Sequence, residues 1–423
     1  MTPAPAIPLT AELPDYDLAI VGGGLVGASL ALALAPLGLR IALLEAVAPA
    51  TGEQHPSFDE RTTALANGTV RAFRMLGAWT AMEREAAPIR RIHVSDQGRF
   101  GTARVDAAEQ GLEALGYVVP NRVIGAALWA GLARVPSIEV IAPATVSGSE
   151  IDGASRVVTF EVAGQARSLR ARLVVAADGM RSLVRDQAGI EAEHIEYEQV
   201  ALTAVMTTQR FHDYVAYERF TEAGPIAILP LTDGRCGLVW TGSPAAVERL
   251  LALSDEEFLR EFQAAFGFRL GRFLRIGQRA SYKLVLSRAD RHIAERLAVV
   301  GNAAQGLHPI AGQGFNLGLR DAMSLAEVIA DGRVAGTTDA GDAALLQEYA
   351  DWRDTDRRRI VAFTDGLVRL FSTPLGVLRG LRSLGILAFD VLPPAKSALA
   401  RLSVGAAQRV PRLARGVPLA GSG

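Results

Sequence analysis

Three short stretches of this chain place residues where their types and spacing could do chemistry. The first is Gly22-Gly23-Gly24-Leu25-Val26-Gly27, a GxGxxG run. Gly22 permits a tight turn, Gly24 leaves the backbone open to a pyrophosphate, and Gly27 lets a helix pack against the preceding strand. The amide end of that helix favours negative charge. Glu45, 18 residues past Gly27, is placed to accept hydrogen bonds from a ribose and to disfavour a 2′-phosphate. Together they point to a dinucleotide site.

The second stretch is Ala177-Asp178-Gly179-Met180-Arg181-Ser182-Leu183-Val184-Arg185. By itself it fits a strand-to-helix turn capped by Asp178 as well as it fits a ligand contact. The third, GNAAQGLHPIAGQGFNLGLRD (301–321), follows the apolar run LAVV and passes straight into a helix-like sequence.

The elements that must position these residues are legible from periodicity. Tyr16–Val21 and Leu39–Glu45 read as buried strands and Leu25–Leu37 as a helix, a βαβ unit that implies a parallel sheet. Residues 62–79 and 122–135 read as helical. Short strand-like pieces follow from Ile138 to Phe160, and Arg172–Ala177 reads as another buried strand. GPIAILPLTDGRCGLVWTG has two apolar runs around Asp233-Gly234, a hairpin signature of an antiparallel sheet. Residues 254–267 read as a helix with Ser254 as N-cap and Glu257 completing a capping box. Sheet-forming sequence of the first kind returns at Leu297, so the second unit is inserted into the first.

A chain of 423 residues with net charge −1 and one cysteine suits two interleaved domains in a reducing, cytoplasmic setting and gives no nucleic-acid footprint. Cys236 in RCGLVW reads as a buried structural thiol. The six histidines form no metal-ligand spacing, and apart from His308 they fit surface or capping positions. The N-terminal sequence has no basic run before its first apolar stretch and does not read as a signal peptide.

The three stretches, in this order and spacing, resemble the flavin-dependent aromatic monooxygenases over roughly residues 16–330. FDERTTALANGTVRAFRMLGAW, IHVSDQGRFG, ERFTEAGPIAILPLTDGRCGLVW and GNAAQGLHPIAGQGFNLGLRDAMSLAE resemble the ubiquinone-biosynthesis hydroxylases, most of all the 2-polyprenyl-6-methoxyphenol hydroxylase branch. The broader family has Asp where this chain has Asn302; the methoxyphenol branch carries Asn. The resemblance implies an α/β fold: a Rossmann-like FAD-binding domain, an inserted antiparallel-sheet substrate domain and a helical C-terminal region. The expected divisions are 1–190 for the first part of the FAD domain, with substrate-domain strands interleaved near 90–120, then 191–290 for the substrate domain. Residues 291–365 would be the second part of the FAD domain and 366–423 the C-terminal region.

The resemblance also implies bound FAD, O2 as co-substrate, and NAD(P)H or another electron donor as a transient reductant. A flavin 4a-hydroperoxide would hydroxylate the ring of a polyprenylated phenol. Gly22, Gly24, Gly27, Glu45, Arg61, Arg122, Asp178, Gly179 and Asn302 would bind the cofactor, with Gly312, Gln313, Gly314, Phe315 and Asn316 cradling its ring. Pro309 and Gly314 would flank the reacting carbon, with His308 beside them. Ile226, Ile228, Leu229, Leu238 and Trp240 are candidates for an apolar substrate channel, although alternate ones must face away. Two other readings share these residues: hydroxylation of a soluble aromatic acid, which would need a cationic clamp, and a non-catalytic FAD-stabilised scaffold.

Residues 366–423 carry eight basic and one acidic residue within apolar sequence. That composition suits peripheral contact with the inner face of the cytoplasmic membrane or docking within a multi-enzyme ubiquinone-biosynthesis complex. It equally suits helices packed on the FAD domain.

Overall fold

The first strand, Asp15–Val21, buries Leu18, Ala19 and Ile20 completely, as its continuous apolar run requires of a strand covered on both faces. The structure is a computed structural model. It describes residue 13 and residues 15–48, 61–98, 102–221, 224–306, 313–356 and 409–419; the side chains of residues 196, 197 and 313 are not described.

Asp15–Val21 lies in a parallel core. Leu297–Val299, Gln165–Ala176, Asp15–Val21, Ile41–Leu44 and Ile138–Ile141 run side by side in that order. The register decides what this sheet can do. Val21 pairs with Ala176 and with Leu44, and Ala176 pairs with Val299. The carboxyl ends of four strands therefore fall on one line, and Gly22, Glu45, Ala177 and the turn at Gly301 leave the sheet together. That edge is where open α/β sheets place their ligands. Helix Leu25–Leu34 and helix Gln313–Val334 cover the sheet and pack on each other. The first of them is shorter than its apolar pattern predicts. Pro36 follows it, and Ala35–Leu37 forms a 3₁₀ turn closed by Gly38.

The second sheet has nine strands. Its centre is Ala192–Thr208, Arg235–Gly242, Gly224–Pro230 and Val215–Thr221. The hairpin at Asp233-Gly234 forms as read, with both residues at positive φ (59° and 68°), the backbone a two-residue turn demands. Arg91–Asp96 and Thr102–Asp106, from the earlier part of the chain, complete one edge. Arg91–Asp96 runs parallel to Val215–Thr221, so this sheet is mixed rather than wholly antiparallel. Helix Asp255–Phe266 carries the expected capping box between Ser254 and Glu257. It seats Phe258, Phe262 and Phe266 on the sheet around Trp240.

The helical reading of 62–79 needs correction. Thr62–Ala66 is a strand of a small three-stranded sheet with Ala87–Ile89 and Gly116–Pro120, and the helix begins only at Asn67. The β-branched pair Thr62-Thr63 marks the switch. The second helical run is shorter than 122–135, at Asn121–Leu132.

Of the C-terminal region, 409–419 is described. Leu413 and Leu419 join the core beside the parallel sheet. Arg412 pairs with Asp331, Arg409 pairs with Glu348, and the Arg409 guanidinium lies 3.8 Å from the centroid of the Trp352 ring. Two of the three arginines of this segment, Arg409 and Arg412, are thus paired with the protein's own acids. The rest of 366–423 lies outside the described residues.

Candidate active site

Gly22 opens the site. Its φ is +104°, and a Cβ there would stand 2.4 Å from the Ala177 carbonyl oxygen, so only glycine fits. A Cβ on Gly27 would meet the Gly22 carbonyl oxygen at 1.9 Å, which explains the close helix–strand approach. Glu45 is buried. Its Oε2 accepts from the Gly23 amide at 2.6 Å and its Oε1 from the Val47 amide at 3.0 Å. Trp129 donates its indole N–H to the Gly23 carbonyl at 3.1 Å. No sequence signal connected that tryptophan with the glycine loop.

Asp178 and Gly179 lie across the sheet edge from Gly22. Burial pushes the Asp178 carboxyl up, opposed by the Ser182 hydroxyl and local amides. Its Oδ1 is buried without a hydrogen-bond partner among the described residues. An orphaned acceptor at a cavity wall suits a ligand donor. The loop is held by Arg185, 1 % exposed, which donates to the carbonyls of Met180 (3.1 Å) and Ala303 (3.0 Å).

The turn at Gly301 is held by Asp321, whose Oδ2 accepts from the Gly301 amide at 3.1 Å while Oδ1 accepts from Arg353 at 2.7 Å. Asp321, Arg353 and Asp356 are fully buried and paired. Asn302 is exposed on the cavity rim. Gly314 and Phe315 line the same space, and a Cβ on Gly314 would meet no atom of the other described residues within 4 Å, its chain neighbours and helix backbone aside. Gln313 starts the helix. His308, Pro309 and Gly312 lie outside the described residues.

Two expected cofactor ligands make contacts within the protein itself. Arg122 is ion-paired to Glu85 at 2.6 Å and is not among the cavity-lining residues; its neighbour Asn121 is. The first turn of that helix aims position 121 inward and position 122 outward. The Asn316 Oδ1 accepts from the Ala66 amide and the Thr69 hydroxyl, both at 2.8 Å, and its Nδ2 donates to the Ala64 carbonyl at 2.8 Å. Its side chain clamps the helix to the strand, although the residue lines the cavity. Arg61 does line it, with its guanidinium 5.5 Å from the centroid of the Tyr282 ring on the second sheet.

One continuous cavity of about 1320 Å³ joins these residues to the second sheet. It exceeds the ~300–1,000 Å³ typical of a single drug-sized ligand. The sheet contributes the face carrying Thr203, Val205, Ala216, Glu218, Ala227, Leu229 and Val239. The channel candidates divide by strand alternation. Leu229 faces the cavity, whereas Ile226, Ile228, Leu238 and Trp240 turn their side chains into the opposite core with the phenylalanines. Cys236 is in that core too, its thiol pushed up to about 12 by burial.

His93, His212 and His292 are buried rather than superficial. His212 bridges the Leu231 carbonyl and the Tyr214 amide, and His292 meets Asp354 at 3.1 Å.

A parallel sheet with phosphate-ready loops at its carboxyl edge, joined by a cavity to the apolar face of a second sheet, defines a flavoprotein monooxygenase. Residues 15–364 match the family model for the FAD binding domain. The chain is 40% identical over 409 residues to ubiquinone hydroxylase UbiL of Rhodospirillum rubrum, covering 95% of this chain and 93% of that protein. It is 33% identical to the 3-demethoxyubiquinol 3-hydroxylase of Escherichia coli, covering 88% and 94%. In fold it resembles p-nitrophenol 4-monooxygenase PnpA of Pseudomonas putida, with a TM-score of 0.76, 20% identity and coverage of 94% and 100%. The chain belongs to the FAD-binding family of monooxygenases that includes these ubiquinone hydroxylases. It is an FAD-dependent enzyme that uses O2.

Proposed function

We propose that the enzyme hydroxylates the aromatic ring of a polyprenylated phenol, of the 2-polyprenyl-6-methoxyphenol type, in ubiquinone biosynthesis. The observation that carries this reading is the single cavity shared by the glycine-rich cofactor edge and the apolar sheet face. A ring held between them sits against the cofactor while a prenyl chain lies along Ala227, Leu229 and Val239. The names of its relatives as ubiquinone hydroxylases support the same substrate class.

The residues present fit FAD. Gly22 and Gly24 would admit its pyrophosphate, Glu45 its adenosine ribose, and Asp178 a hydroxyl or phosphate-bound donor at its orphaned oxygen. Asn302 can both accept and donate toward the ribityl hydroxyls. The open face of Gly314 and the start of helix Gln313–Val334 would receive the flavin ring, the amide end favouring negative charge there by about 0.3–2 kcal/mol. Bound FAD, reduced by a nicotinamide, supplies the activation of dioxygen. The protein's own part is to orient the ring and exclude water.

Peripheral membrane contact through 366–423, of which 409–419 is described, belongs to this proposal. No helix among the described residues is long and apolar enough to cross a membrane. Mass spectrometry of the lipid phenols in a deletion strain tests the assignment. Accumulation of the unhydroxylated prenylphenol, cleared by the restored gene, is the expected result; an unchanged quinone pool would refute it.

A further inference from the structure

Glu218 is a carboxylate in the wrong place for a structural residue. It sits in the middle of strand Val215–Thr221 and lines the cavity from the sheet side. Its cross-strand neighbours are Ala227 on one side and Val94 on the other. Ala216 and Phe220, two residues away along its own strand, share its face. Tyr217 and Arg219 point to the opposite face, where Arg219 donates to the Ala265 carbonyl and Tyr217 packs on Phe266. Among the described residues no hydrogen bond or ion pair is made by Glu218. Burial among these apolar groups pushes its carboxyl up to about 7, with no neighbouring charge contributing.

The other charged groups of the cavity lie elsewhere. Glu45 and Asp178 are on the cofactor edge of the parallel sheet. Arg61 stands by Tyr282, and Lys283 is on strand Ala280–Ala289, four strands along the sheet order from Glu218. Among the described residues, the sheet wall thus presents one carboxylate to whatever ring lies against it. Glu218 is half-buried and opens onto the cavity with no hydrogen-bond partner among the described residues, and polar groups of this kind cluster where a ligand completes them.

We propose that Glu218 is the catalytic residue that accepts the ring-hydroxyl proton of the phenolic substrate. This rests on the reading of the substrate as a phenol. The Glu218 carboxylate accepts a hydrogen bond from the ring hydroxyl. As the ring is oxygenated, the O–H bond breaks and its electron pair delocalises into the ring. That raises the electron density at the carbon that takes the oxygen atom. The proton resides on Glu218 until the new C–O bond has formed; the ring carbon then gives up its hydrogen to solvent as a proton, the ring regains its aromaticity, and Glu218 returns its proton to the oxygen it came from. Dioxygen and reducing equivalents are those the reaction already uses. An acceptor with affinity for protons near neutrality is matched to this task, whereas an ordinary exposed carboxylate is too weak a base.

The test uses the FAD-loaded enzyme and geranylated guaiacol, an ortho-methoxyphenol with a short prenyl chain. Binding is read from the perturbation of the oxidised flavin spectrum between pH 5 and 9, and turnover is followed separately. Wild-type affinity is expected to weaken as pH falls through about 7. Glu218→Gln should bind about tenfold to a hundredfold more weakly at the alkaline end, without that pH step, and should lose on the order of a hundredfold or more in kcat/KM. Glu218→Asp should keep the step with reduced turnover. If the wild type hydroxylates the probe and Glu218→Gln retains the same pH dependence, the role of Glu218 is wrong while the substrate reading stands. If the wild-type holoenzyme neither binds nor oxygenates the probe, the substrate reading fails and the inference fails with it.

Discussion

Arg185 donates to the carbonyl oxygen of Ala303 at 3.0 Å, across 118 residues of sequence. The same guanidinium holds the Met180 carbonyl, so one buried side chain fixes the Asp178 loop against the loop that begins at Gly301. Both loops face the cofactor cavity. Arg185→Met is expected to weaken FAD binding by about tenfold to a hundredfold, because two buried carbonyls lose a charged donor. Fluorescence titration of the apoprotein with FAD measures this, and an unchanged Kd would dissociate Arg185 from the site.

Gly314 and Gly22 should fail in different ways. A Cβ at Gly314 meets no atom of the other described residues within 4 Å, its chain neighbours and helix backbone aside, so Gly314→Val should leave the melting temperature of the apoprotein within a few degrees of wild type while sharply reducing FAD retention. Gly22→Val faces a backbone clash and positive φ and should destabilise the fold itself by more than about 1–3 kcal/mol. Thermal unfolding of both variants without added FAD separates the two.

Asn316→Leu removes three hydrogen bonds to the 64–69 segment, two of them buried. A loss of about 2–4 kcal/mol is expected from the unsatisfied groups left behind, read by denaturant unfolding. A variant as stable as wild type would show that the clamp is dispensable.

Glu218 carries a stability signature independent of turnover. Its folded pKa is raised, to about 7, so the folded state holds this proton more tightly than the unfolded chain. Stability from this group is full below the unfolded value near 4.5 and is lost as pH rises through about 7. The apoprotein of Glu218→Gln should therefore gain on wild type by roughly 3 kcal/mol at pH 8 and little at pH 4.5. Equal pH–stability curves would place the carboxyl in bulk water.

The legible part of this molecule is the part written in local pattern. The GxGxxG turn, the alternation of buried strands, the Asp233-Gly234 hairpin and the Ser254 capping box each depend on a few adjacent residues, and all form. What sequence hid depends on register and long-range contact. Strand alternation decides that Leu229 and Glu218 face the cavity while Ile228 and Trp240 do not, but periodicity alone names no inward face. Asn121 and Arg122 are adjacent, and only the entry angle of their helix chooses which reaches the cavity. Trp129 and Arg185 reach carbonyls 106 and 118 residues away and Asp321 an amide 20 residues away, where no local pattern marks them. Thr62–Ala66 was masked by the helix that follows it directly.

The central claim is that one cavity brings FAD and a prenylated phenol together for oxygen insertion. The direct measurement is incubation of the purified yellow holoenzyme with geranylated guaiacol, NADH or NADPH and isotopically labelled dioxygen, followed by mass spectrometry of the product. The account expects one labelled oxygen atom on the aromatic ring. A product whose added oxygen comes from water, or oxidation of the nicotinamide with release of hydrogen peroxide and an intact phenol, would contradict it.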